Sequence, residues 1–119
     1  MSTSLFRALA WILVATIVTL SLVPPSLRPV TGTPHDFEHF AIFALCGYAF
    51  GLGYRSRHLV HAIALVTFSG LVELLQFTAP GRHARAIDFV VDAVASCAGV
   101  LVGWMMLKLM FAEGASANR

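Results

Sequence analysis

Four long apolar runs, approximately 6–23, 36–54, 59–78 and 87–111, alternate with short segments rich in turn residues and charge. Each run is close to the ~20 residues that carry an α-helix across a hydrocarbon core. The runs are continuous, whereas a membrane β-barrel needs apolar and polar residues in alternation. The pattern predicts an all-α, polytopic membrane protein: a four-transmembrane-helix bundle forming a single domain over 1–119. The breakers sit where the connections should be. Pro24-Pro25, Pro29 and Pro34 make 24–35 irregular, and Pro80-Gly81 marks a turn in 79–86. The turn Arg55-Ser56-Arg57-His58 is short enough to make the second and third helices antiparallel neighbours.

The faces of these helices are legible from their period. On the fourth, Asp88, Asp92, Ala95, Gly99 and Gly103 form one stripe, acids first and small residues after. On the second, Asp36, His39, Phe43, Gly47 and Gly51 repeat that order. Gly47-x-x-x-Gly51 and Gly99-x-x-x-Gly103 both match the close-packing motif of membrane helices. On the third, Gly70, Glu73 and Phe77 share a face, with Gln76 beside Glu73.

Ionisable groups inside such runs demand an explanation, since an Asp at the centre of a spanning helix costs about 2.5–3.5 kcal/mol on insertion scales. Glu73 lies about 8 Å below the end of its helix at ~1.5 Å per residue. His39 and Asp92 lie at comparable depth on neighbouring spans, so the three are expected to meet. Glu73 and His39 form a candidate acid/base pair. Arg82, Gln76, Asp88 and Asp92 are candidates for binding a ligand and orienting that pair, with Arg82 suited to an anion. The same groups can instead satisfy one another and lock three helices in register without any chemistry. Asp36 reads as a helix-start carboxylate, with Thr33 as cap and Pro34 in the first helical position. Asp88 reads as an N-terminal cap or a local partner of Arg85.

Composition narrows the remaining classes. The chain is 58% hydrophobic and 12% charged, too apolar for a soluble domain of 119 residues. A net charge of +2, with no basic patch interleaved with aromatics, gives no reason to expect nucleic acid. No cofactor motif is present, and His39, Glu73, Asp88 and Asp92 lack a sequential metal-ligand signature, so neither cofactor nor metal is expected. Ser69 has no nucleophile elbow around it. Cys46 and Cys97 lie at similar depth and read as small buried apolar residues. The first run follows Arg7 but ends without a small-x-small cleavage site, so it is expected to stay as a spanning helix. Arg7, Arg55, Arg57, Lys108 and Arg119 fall at one set of helix ends, against Arg28, Arg82 and Arg85 at the other. That bias predicts cytoplasmic termini.

From Asp36-Phe-Glu-His39-Phe40 through Glu73-x-x-Gln76-Phe77 and Pro80-Gly81-Arg82 to Asp88, Asp92, Gly99 and Gly103, the chain resembles the VanZ-like family. It departs at Phe37, where the family often has Lys, and at Asp92, where Asn is frequent. The resemblance implies a bacterial plasma-membrane protein of the cell envelope, whose best-known relative gives low-level resistance to the glycopeptide teicoplanin. Two expectations follow. One is a protein whose outward-facing cluster binds, or acts on, an anionic envelope precursor or lipid headgroup. The other is a non-enzymatic scaffold in which the buried network only holds the bundle together. Neither decides whether the chain is an enzyme or what oligomer it forms.

Overall fold

The computed structural model describes residues 2–27, 32, 34–78 and 85–118, without the side chains of Pro25, His35 and Asp36. The described chain is all-α, with helices α1 (Thr3–Leu22), α2 (His35–Gly53), α3 (His58–Gln76) and α4 (Ala86–Ala117). A single 3-10 turn, Pro25–Leu27, follows α1. α1, α3 and α4 are each long and apolar enough to cross a membrane, and α2 contributes the shorter apolar stretch Phe37–Gly53. Over its 19 residues α2 reaches about 28 Å at ~1.5 Å per residue, close to the hydrocarbon thickness. The outer surface is that of a membrane protein: Ile63, Leu71, Leu74, Val94 and Leu101 are all more than half exposed.

All helix ends but one fall within three residues of the sequence expectation. The exception is α4, which continues through Gly114 to Ala117 instead of fraying after Phe111. Its last turns carry strong helix formers (Met105, Met106, Leu107, Lys108, Leu109, Met110, Ala112, Glu113), and one exposed glycine costs only ~1 kcal/mol. Pro34 lies just before the first helical residue of α2 rather than within it, and Thr33 lies outside the described residues.

α2 is the hub of the bundle. It packs most extensively on α4, then on α1; α3 packs chiefly on α4 and touches α2 and α1 only lightly, while α1 and α4 do not meet. The short connection does hold α2 and α3 side by side, but their partnership is subordinate to the α2–α4 seam. Glycine makes that seam. A Cβ on Gly47 would run into the carbonyl of Ser96, and one on Gly99 into the carbonyl of Ala44. A Cβ on Gly51 would stand 2.9 Å from the Val100 carbonyl and 3.1 Å from the Gly103 Cα. Backbone therefore lies on backbone. In lipid there is no hydrophobic force to drive helices together, so this close packing and the polar pairs must do it.

The glycines sit among a compact apolar core of Phe43, Cys46, Ala49, Phe50, Val72, Ala95 and Val100, joined by Ala10, Ile17 and Leu65 from the flanks. Cys46 is fully buried against the Ala10 carbonyl of α1, whereas Cys97 is exposed on α4; they are not neighbours in a common interior. On α3 the buried stripe is Leu65, Ser69, Val72, Glu73 and Gln76, while Phe77 is 71% exposed, which corrects the face expected from Gly70, Glu73 and Phe77.

At the end where α2 stops and α3 starts, other helices supply the missing caps. Arg7 Nε donates to the Gly53 carbonyl at 2.8 Å, and His58 Nε2 donates to the Gly51 carbonyl at 3.1 Å. These satisfy carbonyls that the end of α2 leaves without intrahelical partners. Arg57, between the two helices, adopts a left-handed conformation at φ 61 and ψ 37.

Candidate functional site

The other end of the bundle gathers the C-termini of α1 and α3 with the N-termini of α2 and α4. Three acids and a histidine are buried there: Asp92 is fully buried, and Asp88, Glu73 and His39 are 3%, 7% and 8% exposed. The stripes predicted on α2 and α4 account for three of them. Each of these two helices places its polar residues one or two turns from its start and its glycines beyond, so when the glycines seat, the polar ends are brought face to face.

His39 meets Asp92 across the α2–α4 seam, Nδ1 lying 3.1 Å from Oδ1 and 3.3 Å from Oδ2. An acid at this position accepts from Nδ1–H and orients the ring. Glu73 interacts electrostatically with His39, Asp88 and Asp92, but its Oε2 accepts the backbone N–H of Arg85 at 3.2 Å. That N–H stands at the N-cap of α4, where the helix leaves donors unsatisfied and carries the positive end of its dipole. The other oxygen of Glu73, Oε1, is buried and has no hydrogen-bond partner among the described residues.

Asp88 lies in the first turn of α4 and is gripped by the Arg85 guanidinium, Nη2 donating to Oδ1 at 2.8 Å and Nε to Oδ2 at 3.2 Å. Sequence left open a cap or a local pair with Arg85 for this residue; the side chain makes the pair. In a capping box the acid three residues after the cap reaches back to the cap's own N–H. Here that acid is engaged by the Arg85 side chain, and Glu73 reaches the N–H from another helix.

Gln76, 3% exposed, and His39 line a recess of about 80 Å³ between α1, α2 and α3, together with Ser21 and Glu38. By liquid-water volume (~30 Å³ each) it holds two or three waters or one small polar group. Ser21 was not anticipated. It is a polar residue in the last turns of an apolar run, buried at 7% exposure, with its hydroxyl donating to the Ile17 carbonyl at 2.6 Å. Ser96, one turn below Asp92, is a second unanticipated polar residue on the buried face of α4, and its Oγ has no partner among the described residues.

Arg82, Pro80 and Gly81 lie outside the described residues, as do the side chains of Asp36 and His35. Among the described residues no three His, Cys, Asp or Glu side chains converge as a metal site. Compared with models of known protein families, with curated proteins and with solved structures, the chain has no significant match.

Proposed function

We propose that this chain is a VanZ-like protein of the bacterial plasma membrane, with cytoplasmic termini, whose polar end binds the anionic headgroup of an envelope lipid or precursor. The observation that carries this reading is the His39–Asp92 pair beside the recess. Asp92 holds the ring in place, and when protonated the imidazole is a charged donor of the kind a phosphate or carboxylate oxygen accepts from. The Gln76 amide adds a neutral donor and acceptor on the same wall. The arrangement also suits proton transfer, with Asp92 holding the imidazole as it gains or loses a proton.

The test is teicoplanin susceptibility of a host bacterium expressing the chain, with the membrane level of each variant measured alongside. His39→Gln is expected to abolish the resistance increment while the protein remains at its normal level. A wild-type chain that never changes susceptibility, or a His39→Gln variant as effective as the parent, rejects the reading.

One observation favours the scaffold alternative. Glu73 to the Arg85 N–H and His39 to Asp92 each join two helices, and together they tie α2 and α3 to α4. Under that reading Glu73→Gln and His39→Gln lower the amount of folded protein, and function falls only in proportion.

A further inference from the structure

The end of the bundle opposite the acids carries cations without acidic partners. Arg7, Arg55 and Arg57 form no ion pair with any carboxylate among the described residues, where Asp88 and Asp92 take part in the two ion pairs present. Arg7 is nonetheless held in place. Its Nε is bound to the Gly53 carbonyl, and its guanidinium carbon lies 4.8 Å above the centre of the Tyr54 ring. This leaves both terminal amino groups as anchored, exposed donors.

Tyr54 is also the rim of a groove of about 420 Å³ that opens where α1 and α3 barely touch. Phe50 forms its floor, Trp11 and Val14 its α1 wall, and His61, Ala64 and Phe68 its α3 wall. Its rim is rigid. The Trp11 indole N–H donates to the Tyr54 hydroxyl at 3.0 Å, and Tyr54 stacks on Phe50 with ring centres 5.7 Å apart. Trp, Tyr and Arg at one level are the signature of the headgroup boundary, and the rest of the groove runs toward the apolar interior.

The geometry points to a seat for one anionic phospholipid. An acyl chain lies in the groove between α1 and α3, and the headgroup phosphate is held by the Arg7 guanidinium above Tyr54. The volume falls within the ~300–1,000 Å³ of ordinary ligand sites. Charge complementarity selects the lipid: a fixed guanidinium with two donors matches a phosphate. Phosphatidylcholine also presents a phosphate, but its choline cation leaves the headgroup neutral, whereas an anionic headgroup keeps the net charge that Arg7 attracts. This seat is separate from the recess beside His39 and does not depend on the function proposed for it.

The experiment uses the full chain with Trp104→Phe, which leaves Trp11 as the sole indole of the two in the sequence. It is reconstituted in phosphatidylcholine bilayers containing increasing amounts of phosphatidylglycerol with brominated acyl chains, and Trp11 fluorescence is followed. Brominated phosphatidylglycerol is expected to quench Trp11 at a roughly fivefold lower mole fraction than brominated phosphatidylcholine, the factor that ~1 kcal/mol per basic side chain at an anionic surface corresponds to. Arg7→Gln should remove the preference. Ala64→Phe, which fills the groove and leaves Arg7 in place, should reduce quenching by both lipids. Equal quenching by the two lipids in the parent, or a preference that survives both substitutions, overturns the assignment.

Discussion

Glu73 caps a helix to which it does not belong. Its Oε2 accepts the Arg85 backbone N–H at the head of α4, so the only acid within the α3 span secures the start of the helix that carries Asp88 and Asp92. The exchange leaves the Arg85 side chain to hold Asp88. A cap lent by a neighbouring helix fixes the separation of α3 and α4 as well as the end of α4.

Replacing Glu73 therefore should act on α4. Glu73→Ala is expected to destabilise the bundle by about 1–2 kcal/mol, the upper part of the range for losing a cap. Glu73→Gln keeps an acceptor at the same place and should cost less than half as much. Thermal unfolding in detergent measures both, and equal losses for the two variants would contradict the capping role.

Asp92 and His39 should be energetically coupled. Interhelical polar pairs in membrane proteins average ~0.6 kcal/mol with a maximum near 1.7. Complete burial of Asp92 places this pair at the upper end. A double-mutant cycle of His39→Phe and Asp92→Leu should give a coupling of about 1.5 kcal/mol. It should also show Asp92→Leu to be less harmful when His39 is already gone, because no buried donor is then stranded.

The glycine seam can be tested against a glycine that packs on nothing. Gly47→Ala and Gly99→Ala put a methyl group against a backbone carbonyl that has no side-chain freedom to move, and each should cost about 2–3 kcal/mol as overpacking. Gly114→Ala meets nothing within 4 Å on the exposed end of α4 and should stabilise by up to ~1 kcal/mol through helix propensity. Opposite signs in one unfolding assay are the expected result.

Arg57 offers a gain of a different kind. A non-glycine residue in the left-handed region costs roughly 1–2 kcal/mol, while glycine there gives back part of that through its freer unfolded chain. Arg57→Gly should thus raise the unfolding midpoint by an amount corresponding to about 0.5 kcal/mol. A lowered midpoint would show that the Arg57 side chain contributes more than its backbone loses.

The stripes of α2 and α4 were legible because their signal did not depend on hydrophobicity. His39, Gly47, Gly51, Asp92, Gly99 and Gly103 are out of place facing hydrocarbon, so their period marks the inner face directly. α3 was less legible. Leu71, Leu74 and Leu75 point outward while Ser69 and Gln76 point inward, and an aromatic such as Phe77 suits lipid as well as it suits a core. Where lipid is the solvent, apolar character no longer separates inside from outside. Depth could be read from residue number, so the gathering of Glu73, His39, Asp88 and Asp92 at one end was foreseeable. Partner choice depends on the rotation of each helix about its axis, which numbering does not supply. Hence the sequence brings His39, Glu73 and Asp92 together but does not single out the direct His39–Asp92 contact. The contact of Arg7 with the Gly53 carbonyl joins residues 46 apart, which no local pattern signals, and His58 reaches the Gly51 carbonyl only because the intervening turn folds back on α2.

The seam of glycines links the second helix to the last, leaping over the third. During synthesis, a nascent chain that has released only three spans lacks the Asp92 carboxylate that meets His39 and turns a strip of bare backbone toward lipid. The walls of the recess are thus laid down first, and the ties that hold them in register come only when the final span arrives.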